Sequence, residues 1–380
     1  MASAVIVGGG PAGSMAARLL AGRFDVTVLD SRETSGKPVQ CTGLITEDTV
    51  RMSGIRPDIL NTIYGAKVHF PGGGIISVRS EKPKGVLVDR YDFDTRMADA
   101  ARDAGAEYRY SDRYTGAELL PDKVSVHSSG GRTDADLLIG ADGHTSSVLR
   151  SMGFAAPRFV RGMQVDIKHR MEDQETMELR VGSLAPGFFS WEIPLGDLTR
   201  VGLCARWSAG PPSDHLSRLL RKTGLDTKEV VSKISGKIPV GGVEQTFGDR
   251  TMLIGDAAGQ VKPVSGGGLY PMFKAAPHLA SVAFDAAEEG DFSSGMLSAY
   301  ERRWKKEIGR ELKMGCAMVR MYRKLSDEDL DRACRAAGTP KMLSILNDID
   351  LDAPSTVVRR MLRHPMLALR FLPTAMRAVI

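Results

Sequence analysis

The sequence predicts an α/β protein made of a Rossmann-like dinucleotide-binding domain, an inserted antiparallel-sheet domain and a helical C-terminal region. Three observations point there. The opening "SAVIVGGGPAGSMAARLLAGRFDVTVLD" reads as strand, glycine turn, helix and strand. Near residue 251, "TMLIGDAAG" returns to the same strand-then-glycine style, and a strand-rich block separates the two. Beyond Ala275 the chain reads as helix, interrupted by Pro340, Pro354, Pro365 and Pro373.

The first strand is expected over Ala4–Val7, the first helix over Pro11–Ala21 and the second strand over Val26–Asp30. Gly8, Gly10 and Gly13 carry the G-x-G-x-x-G spacing, with Ala12 inside the same turn. Such glycines permit a tight turn and close approach of a pyrophosphate, and the helix N-terminus adds partial positive charge. Asp30, at the end of the second strand, is placed to accept hydrogen bonds from an adenosine ribose.

Residues 66–89 read as short strands around "PGGG", and "RYDFDTRMADAARDAGAE" is helical from about Asp92 to Asp103, where Gly105 stops it. "ADLLIG" is a buried strand that runs into Asp142-Gly143. From Phe159 to Val243 come "TMELRVG", "FFSWEIP" and "TRVGLCARW", with a polar helix expected near 213–234. This order implies a discontinuous cofactor domain (1–65, 85–158 and 245–300), a substrate domain (66–84 and 159–244) and a helical region (301–380).

Four separated cysteines with no C-x-x-C pair argue against a disulfide framework or a structural zinc site and fit a reducing cytosol. No spanning helix or leader is expected, so the protein reads as cytoplasmic. Net charge is +5, yet residues 301–380 hold 17 Lys and Arg against 10 Asp and Glu. No nucleic-acid motif accompanies this basic excess. It is strongest in residues 355–380, where Arg359, Arg360, Arg363, Arg370 and Arg377 stand among Leu367, Leu369, Phe371, Leu372 and Ile380 without an acidic residue. That pattern fits either a peripheral anchor on the inner membrane face or a helical tail packed on the body with its arginines in water.

The succession of glycine turn, "VLVDR", "IGADG" and "LIGDAAG…P…GGG" resembles the FAD-dependent glutathione-reductase-like superfamily, in the branch shared with aromatic hydroxylases. Within it, "KPVQCTG", "FFSWEIP" and "GDAAGQVKPVSGGGLY" are similar to the geranylgeranyl reductase family, above all its archaeal members that saturate isoprenoid chains of membrane lipids. The resemblance implies FAD as cofactor. It puts Asp256 on the ribityl hydroxyls, and Gly266, Gly267, Gly268 and Leu269 at a helix start beneath the flavin N1 and C2 carbonyl. It also implies cofactor contacts at Arg90, at the backbone of Tyr114, and at Cys41, Thr42 and Gly43 beside the isoalloxazine. The "ADG" element at 141–143 matches the hydroxylase-branch motif, with its trailing basic residue, Arg150, one position late.

Family motifs also match "FFSWEIP", where Phe189 replaces tyrosine, Ile193 replaces phenylalanine and Cys204 stands at a second glycine. Phe189, Trp191 and Ile193 share one strand face by period two, followed by Pro194, and would wall a prenyl chain or pack as sheet core. An isolated alkene accepts hydride only if a proton reaches its second carbon. Cys41 and an ordered water are the candidate proton sources, although a free cysteine is also a small buried hydrophobe. Implied partners are a prenylated lipid and an electron donor, whether nicotinamide, deazaflavin or ferredoxin. A flavin monooxygenase of an apolar small molecule and a prenyl-binding carrier share the fold and stay open.

Overall fold

The computed structural model describes residues 1–364 together with 370, 371 and 377. Pro365, Leu367, Leu369, Leu372, Pro373 and Ile380, named above, lie outside the described residues.

A six-stranded sheet is assembled from distant parts of the chain. Strand β1 (Ala2–Val7) is buried from Ala4 onward and pairs in parallel with β2 (Phe24–Asp30) on one side and Leu137–Gly140 on the other. Glu107–Tyr110 extends the sheet beyond β2, and Thr251–Leu253 and Phe247–Gly248 complete the opposite side. Continuous apolar runs suit strands covered on both faces. Helix α1 (Pro11–Leu20) begins with proline at its first turn, where the missing N–H costs nothing. Gly13 is obligatory in that crossover: a Cβ there would lie 1.8 Å from the Gly8 carbonyl oxygen. The long helix Leu269–Glu289 packs beside α1, and Met272, Phe273, Leu279 and Val282 fill the core between them and the sheet.

The helix expected from Asp92 begins at Arg90, because the Asp89 carboxylate caps the N–H groups of Tyr91 and Asp92. A larger correction concerns residues 213–234. The helix covers only Pro212–Thr223, where Gly224 (φ 70°) closes it by donating to the Leu220 and Arg221 carbonyls. Val230–Pro239 is instead a strand, whose alternating apolar residues obey a period of two.

That strand edges a seven-stranded sheet, ordered Val230–Pro239, Phe159–Ile167, Leu198–Arg206, Phe189–Leu195, Thr176–Val181, Gly65–His69 and Ile75–Arg79. All neighbours are antiparallel except Thr176–Val181 with Gly65–His69. The described chain ends in helices, and no described helix is long and apolar enough to cross a membrane. Ser355–Leu362 is docked: Val357, Met361 and Phe371 pack with Ile76, Met342 and Ile345. Arg360 pairs with Asp348 at 3.2 Å, and Arg377 with Asp329 at 3.2 Å.

Candidate functional site

The glycine turn closes onto Asp30. The Gly9 N–H donates to its Oδ2 at 2.8 Å, the Arg32 N–H and Nε donate to Oδ1 at 2.9 Å each, and Arg32 Nη2 donates to Oδ2 at 2.6 Å. Four donors occupy the four acceptor positions of a carboxylate. Arg32, a partner that sequence reasoning missed, thus shares the Asp30 carboxylate with the glycine turn. The nearby Asp112 N–H donates to the Asp30 carbonyl at 2.9 Å, which carries the chain toward Tyr114. Tyr114 turns its ring into the core with Val5, Val7 and Leu29 and exchanges a 2.9 Å hydrogen bond with Ser151. Arg150 bonds locally, to the Thr145 carbonyl and Ser147.

The second glycine element meets the first directly. Gly255 (φ 70°) has space for no side chain, since a Cβ would lie 2.7 Å from that of Ala12. Its N–H donates to Gln260 Oε1 at 2.8 Å, Gln260 Nε2 donates to the Tyr300 hydroxyl at 2.8 Å, and that hydroxyl donates to the Leu253 carbonyl at 2.9 Å. This buried network fixes the turn that presents Asp256. The Asp256 carboxylate itself has no hydrogen-bond partner among the described residues. Burial pushes its pKa up to about 6, with the positive charge of Arg90 opposing the rise. The side chain is only partly buried, so its free acceptor positions are open to a donor from outside the chain.

Facing it is the triple glycine. A Cβ on Gly268 would stand 2.9 Å from Asp256 Oδ1, and one on Gly267 would stand 2.8 Å from Lys262 Cε. The 21-residue helix that starts at Leu269 has no side-chain cap at Gly268, so its first N–H groups are open toward the same trough. Lys262 secures the loop from behind, donating to Asp352 Oδ1 at 2.6 Å and to the Leu351 carbonyl at 2.9 Å.

The "VQCTG" loop closes another side. Gln164 Nε2 donates to the Cys41 carbonyl at 3.3 Å, and Thr42 Oγ1 donates to Gln164 Oε1 at 3.1 Å. Arg200 Nη1 donates to the Thr42 carbonyl at 2.5 Å while its other nitrogens hold Asp166 at 2.7 and 2.9 Å. Gly43 (φ 86°) fits only as glycine, because a Cβ would lie 2.6 Å from the Val88 carbonyl oxygen. Arg90 is largely covered and lies against Asp94, with bonds of 3.0 and 2.8 Å to Oδ1, and the Cys41 side chain is near enough to act on its charge. Burial works against the Arg90 charge, but Asp94 and Cys41 more than offset it and raise its pKa. Gln164, Asp166 and Arg200 were absent from the sequence reading. Their one visible signal is polar residues at buried, alternating positions of otherwise apolar strands.

The strand Phe189–Leu195 supplies an apolar wall. Phe188 and Phe189 stack at 4.6 Å, and Phe189 meets Trp191 edge-on at 6.0 Å. Gly202 makes room for Trp191, since a Cβ there would lie 2.7 Å from the indole. Trp191 Nε1 is buried without a hydrogen-bond partner. Ile193 is 1% exposed in a cluster with Ile63 and Leu87, and the Pro194 carbonyl accepts from Asn61 Nδ2 at 2.9 Å, so these two lie at the closed end. At the other end the wall meets the triple glycine, because Phe188 Cζ is 3.6 Å and Ile238 Cδ1 2.9 Å from the Cβ position of Gly266. The glycine turns, Asp256 and Arg90 thus border one trough, with the Cys41 loop and an aromatic wall beside it.

Comparison with known proteins gives concordant relatives. The model of the lycopene cyclase protein family matches residues 4–339. The digeranylgeranylglycerophospholipid reductase of Methanothrix thermoacetophila is 32% identical, over 86% of this chain and 89% of its own. Digeranylgeranylglycerophospholipid reductase 2 of Methanothermobacter thermautotrophicus is 31% identical, over 91% and 94%. Among solved structures, a geranylgeranyl bacteriochlorophyll reductase-like protein from Thermoplasma acidophilum superposes with TM-score 0.85 at 24% identity, covering 98% of this chain and 99% of that one. The halogenase PltM, crystallised with phloroglucinol and FAD, shares the fold with TM-score 0.71 at 17% identity, covering 99% and 94%.

Proposed function

This chain belongs to the lycopene cyclase protein family and, with it, to the digeranylgeranylglycerophospholipid reductases, and we propose that it saturates carbon-carbon double bonds of geranylgeranyl chains in an archaeal-type glycerophospholipid or its precursor. It is an FAD-dependent reductase. The observation that carries the reading is the partnerless Asp256 carboxylate, set in a glycine-lined trough that opens onto an apolar aromatic wall.

The residues fit the cofactor. Asp256 would accept the ribityl hydroxyls, and the turn that Gly8, Ala12 and Gly13 pack tightly would offer a pyrophosphate the N–H groups of the helix start at Gly10, whose Cβ position is open. The open helix start at Gly266–Leu269 would supply N–H groups and partial positive charge where the flavin ring gathers electron density. When bound and reduced, FAD supplies hydride. The chain must supply the proton, and the Cys41 thiol beside Arg90 is our candidate donor. Gln164 and Arg200 hold that loop in place, while Phe189 and Trp191 keep water from the alkene.

An external donor, whether nicotinamide, deazaflavin or ferredoxin, would recharge the flavin. Contact with an anionic membrane would run through Arg359, Arg363 and Arg370, which pair with no carboxylate among the described residues. The test is anaerobic reoxidation of dithionite-reduced protein by a geranylgeranyl glycerophospholipid. We expect flavin colour to return and the product to gain one H₂ per bond saturated. Cyclisation would leave the mass unchanged, and a monooxygenase would react only after oxygen is admitted; either result overturns the reading.

A further inference from the structure

We propose that Arg158, Arg206 and Arg323 form a subsite for the phosphate headgroup of the prenyl substrate, at the open end of the aromatic wall. The proposal rests on the reductase reading and extends it to the part of the substrate that does not react.

Strand register sets the direction. Arg206 ends the strand Leu198–Arg206 opposite Val160, and Cys204 and Gly202 follow it on the same face, opposite Gly162 and Gln164. Trp191 pairs with Gly202, so this face is the one that carries the aromatic wall. At roughly 3.3 Å per residue, Arg206 lies about 13 Å along the strand from Gly202. A lipid held by its head at Arg206 would thus point its chain along this face toward half-buried Phe189 and the aromatic wall, where Cys204, Gly202 and Trp191 are already packed beneath.

Arg206 and Arg323 converge on Gly187. A Cβ on Gly187 (φ 77°) would lie 3.3 Å from Arg206 Cβ and 3.4 Å from both Cγ and Nε of Arg323. Arg206 is anchored there by its own N–H, which donates to the Pro186 carbonyl at 2.9 Å, and Arg323 Nε donates to the Gly187 carbonyl at 3.3 Å. The helix that bears Arg323 is fixed to this loop by Tyr322, whose hydroxyl donates to the Phe188 carbonyl at 2.6 Å and accepts from the Gly182 N–H at 3.2 Å. Arg158 stands just before the strand Phe159–Ile167, one step beyond the Val160–Arg206 pairing.

No carboxylate balances the cluster. Among the described residues, none of the three arginines makes an ion pair, whereas the comparably placed Arg180 pairs with Glu192 and Arg200 with Asp166. Arg323 is half-buried, and burial together with the charges of Arg206 and Arg158 pushes its pKa below the ordinary value. Crowded guanidinium groups repel until an anion separates them, and their planar forks match phosphate oxygens. The phosphate could belong to the substrate or to bulk lipid. The row leading inward from Arg206 along the wall favours the substrate.

The test uses flavin-loaded protein in non-ionic detergent micelles, with geranylgeranyl phosphate and geranylgeraniol as probes of equal chain length, followed by equilibrium dialysis. Wild type should bind the phosphate at least about tenfold more tightly than the alcohol, and Arg206→Ala and Arg323→Ala should each weaken phosphate binding about tenfold while changing alcohol binding less than about twofold. Flavin absorbance and melting temperature report whether each variant is folded, and Arg206→Lys serves as a milder replacement. Equal losses for both probes, no loss for either, or no preference in wild type would overturn the subsite. So would a loss seen only on phosphatidylglycerol vesicles and not in micelles, which would assign the arginines to the bilayer surface. Dialysis involves no turnover, so discrimination without alkene saturation would retain the subsite and remove the reductase reading.

Discussion

Arg32 clasps Asp30 with Nε at 2.9 Å and Nη2 at 2.6 Å, on the carboxylate that also receives the Gly9 N–H. Asp30 therefore stabilises the glycine turn whether or not a ribose is present. Asp30→Ala should release both Gly9 and Arg32 and weaken FAD binding about tenfold to hundredfold, the range for losing hydrogen bonds to a charged group. Arg32→Ala frees the acceptor positions and should leave the affinity within about threefold of wild type. Flavin retained after ultrafiltration measures both, and the reverse ranking would make Arg32 the cofactor ligand.

Asp256→Ala should yield folded protein that has lost flavin, because the side chain makes no hydrogen bond to the other described residues. Its pKa of about 6 also sets a pH dependence. The ionised form is the better acceptor for ribityl hydroxyls, so wild-type affinity should fall as pH drops through about 6. In the flavin-free protein the sign reverses. The folded state keeps the proton to higher pH than the unfolded chain, so stability is lost as pH rises from 3.8 to about 6. Asp256→Asn should flatten both profiles, which titration of flavin fluorescence and thermal melts at several pH values would check.

Gln164→Leu should remove two of the three side-chain bonds that latch Cys41 and Thr42, leaving the one from Arg200, at a cost of about 1–2 kcal/mol in stability. Flavin should remain bound, and reoxidation by the prenyl substrate should slow at least about tenfold because Cys41 is no longer positioned. Stopped-flow reoxidation and amide exchange across residues 40–43 would report it. Unchanged exchange there would mean that the latch lies elsewhere.

Phe189→Ala is the cleaner probe of the wall. Phe189 is half-buried, whereas Trp191 is 8% exposed against Gly202, so Trp191→Ala would also destabilise the fold by about 3–5 kcal/mol. Phe189→Ala should raise KM for C20 prenyl chains while leaving dithionite reduction of the flavin unchanged. An equal fall in both rates would mark the residue as core.

The charge-reversal pair Arg363→Glu with Arg370→Glu should lower sedimentation with phosphatidylglycerol vesicles at low salt, with flavin content unaffected. Both residues are exposed. Truncation before Ser355 would be a poorer test, since Val357, Met361 and Phe371 cover Ile76 and Met342. Equal pelleting of mutant and wild type would remove the tail from membrane contact.

The cofactor trough was legible because its demands are local. Gly8, Gly13, Gly255 and Gly268 each face an atom that a side chain would strike, and local spacing recorded that constraint. Arg32, Gln164, Arg200 and the arginine cluster were not legible, for their roles arise from pairings across 34 to 158 residues or from a neighbour's unexpected occupancy. The helix expected to reach 234 failed for a different reason. Gly224 ends that helix in a left-handed turn, and Val230–Pro239 then alternates as an edge strand does.

The latch from Gln164 and Arg200 to Cys41 and Thr42 joins the loop proposed to lie beside the flavin to strands of the sheet proposed to carry the prenyl chain. Whatever stiffens the strand lowers the entropy that the loop still has to lose, and the converse holds equally. Coupling of this kind is reciprocal by thermodynamic necessity. A prenyl chain resting on the sheet should raise the affinity for FAD, and bound FAD should raise the affinity for the prenyl chain by the same factor, over and above the contact that hydride transfer requires.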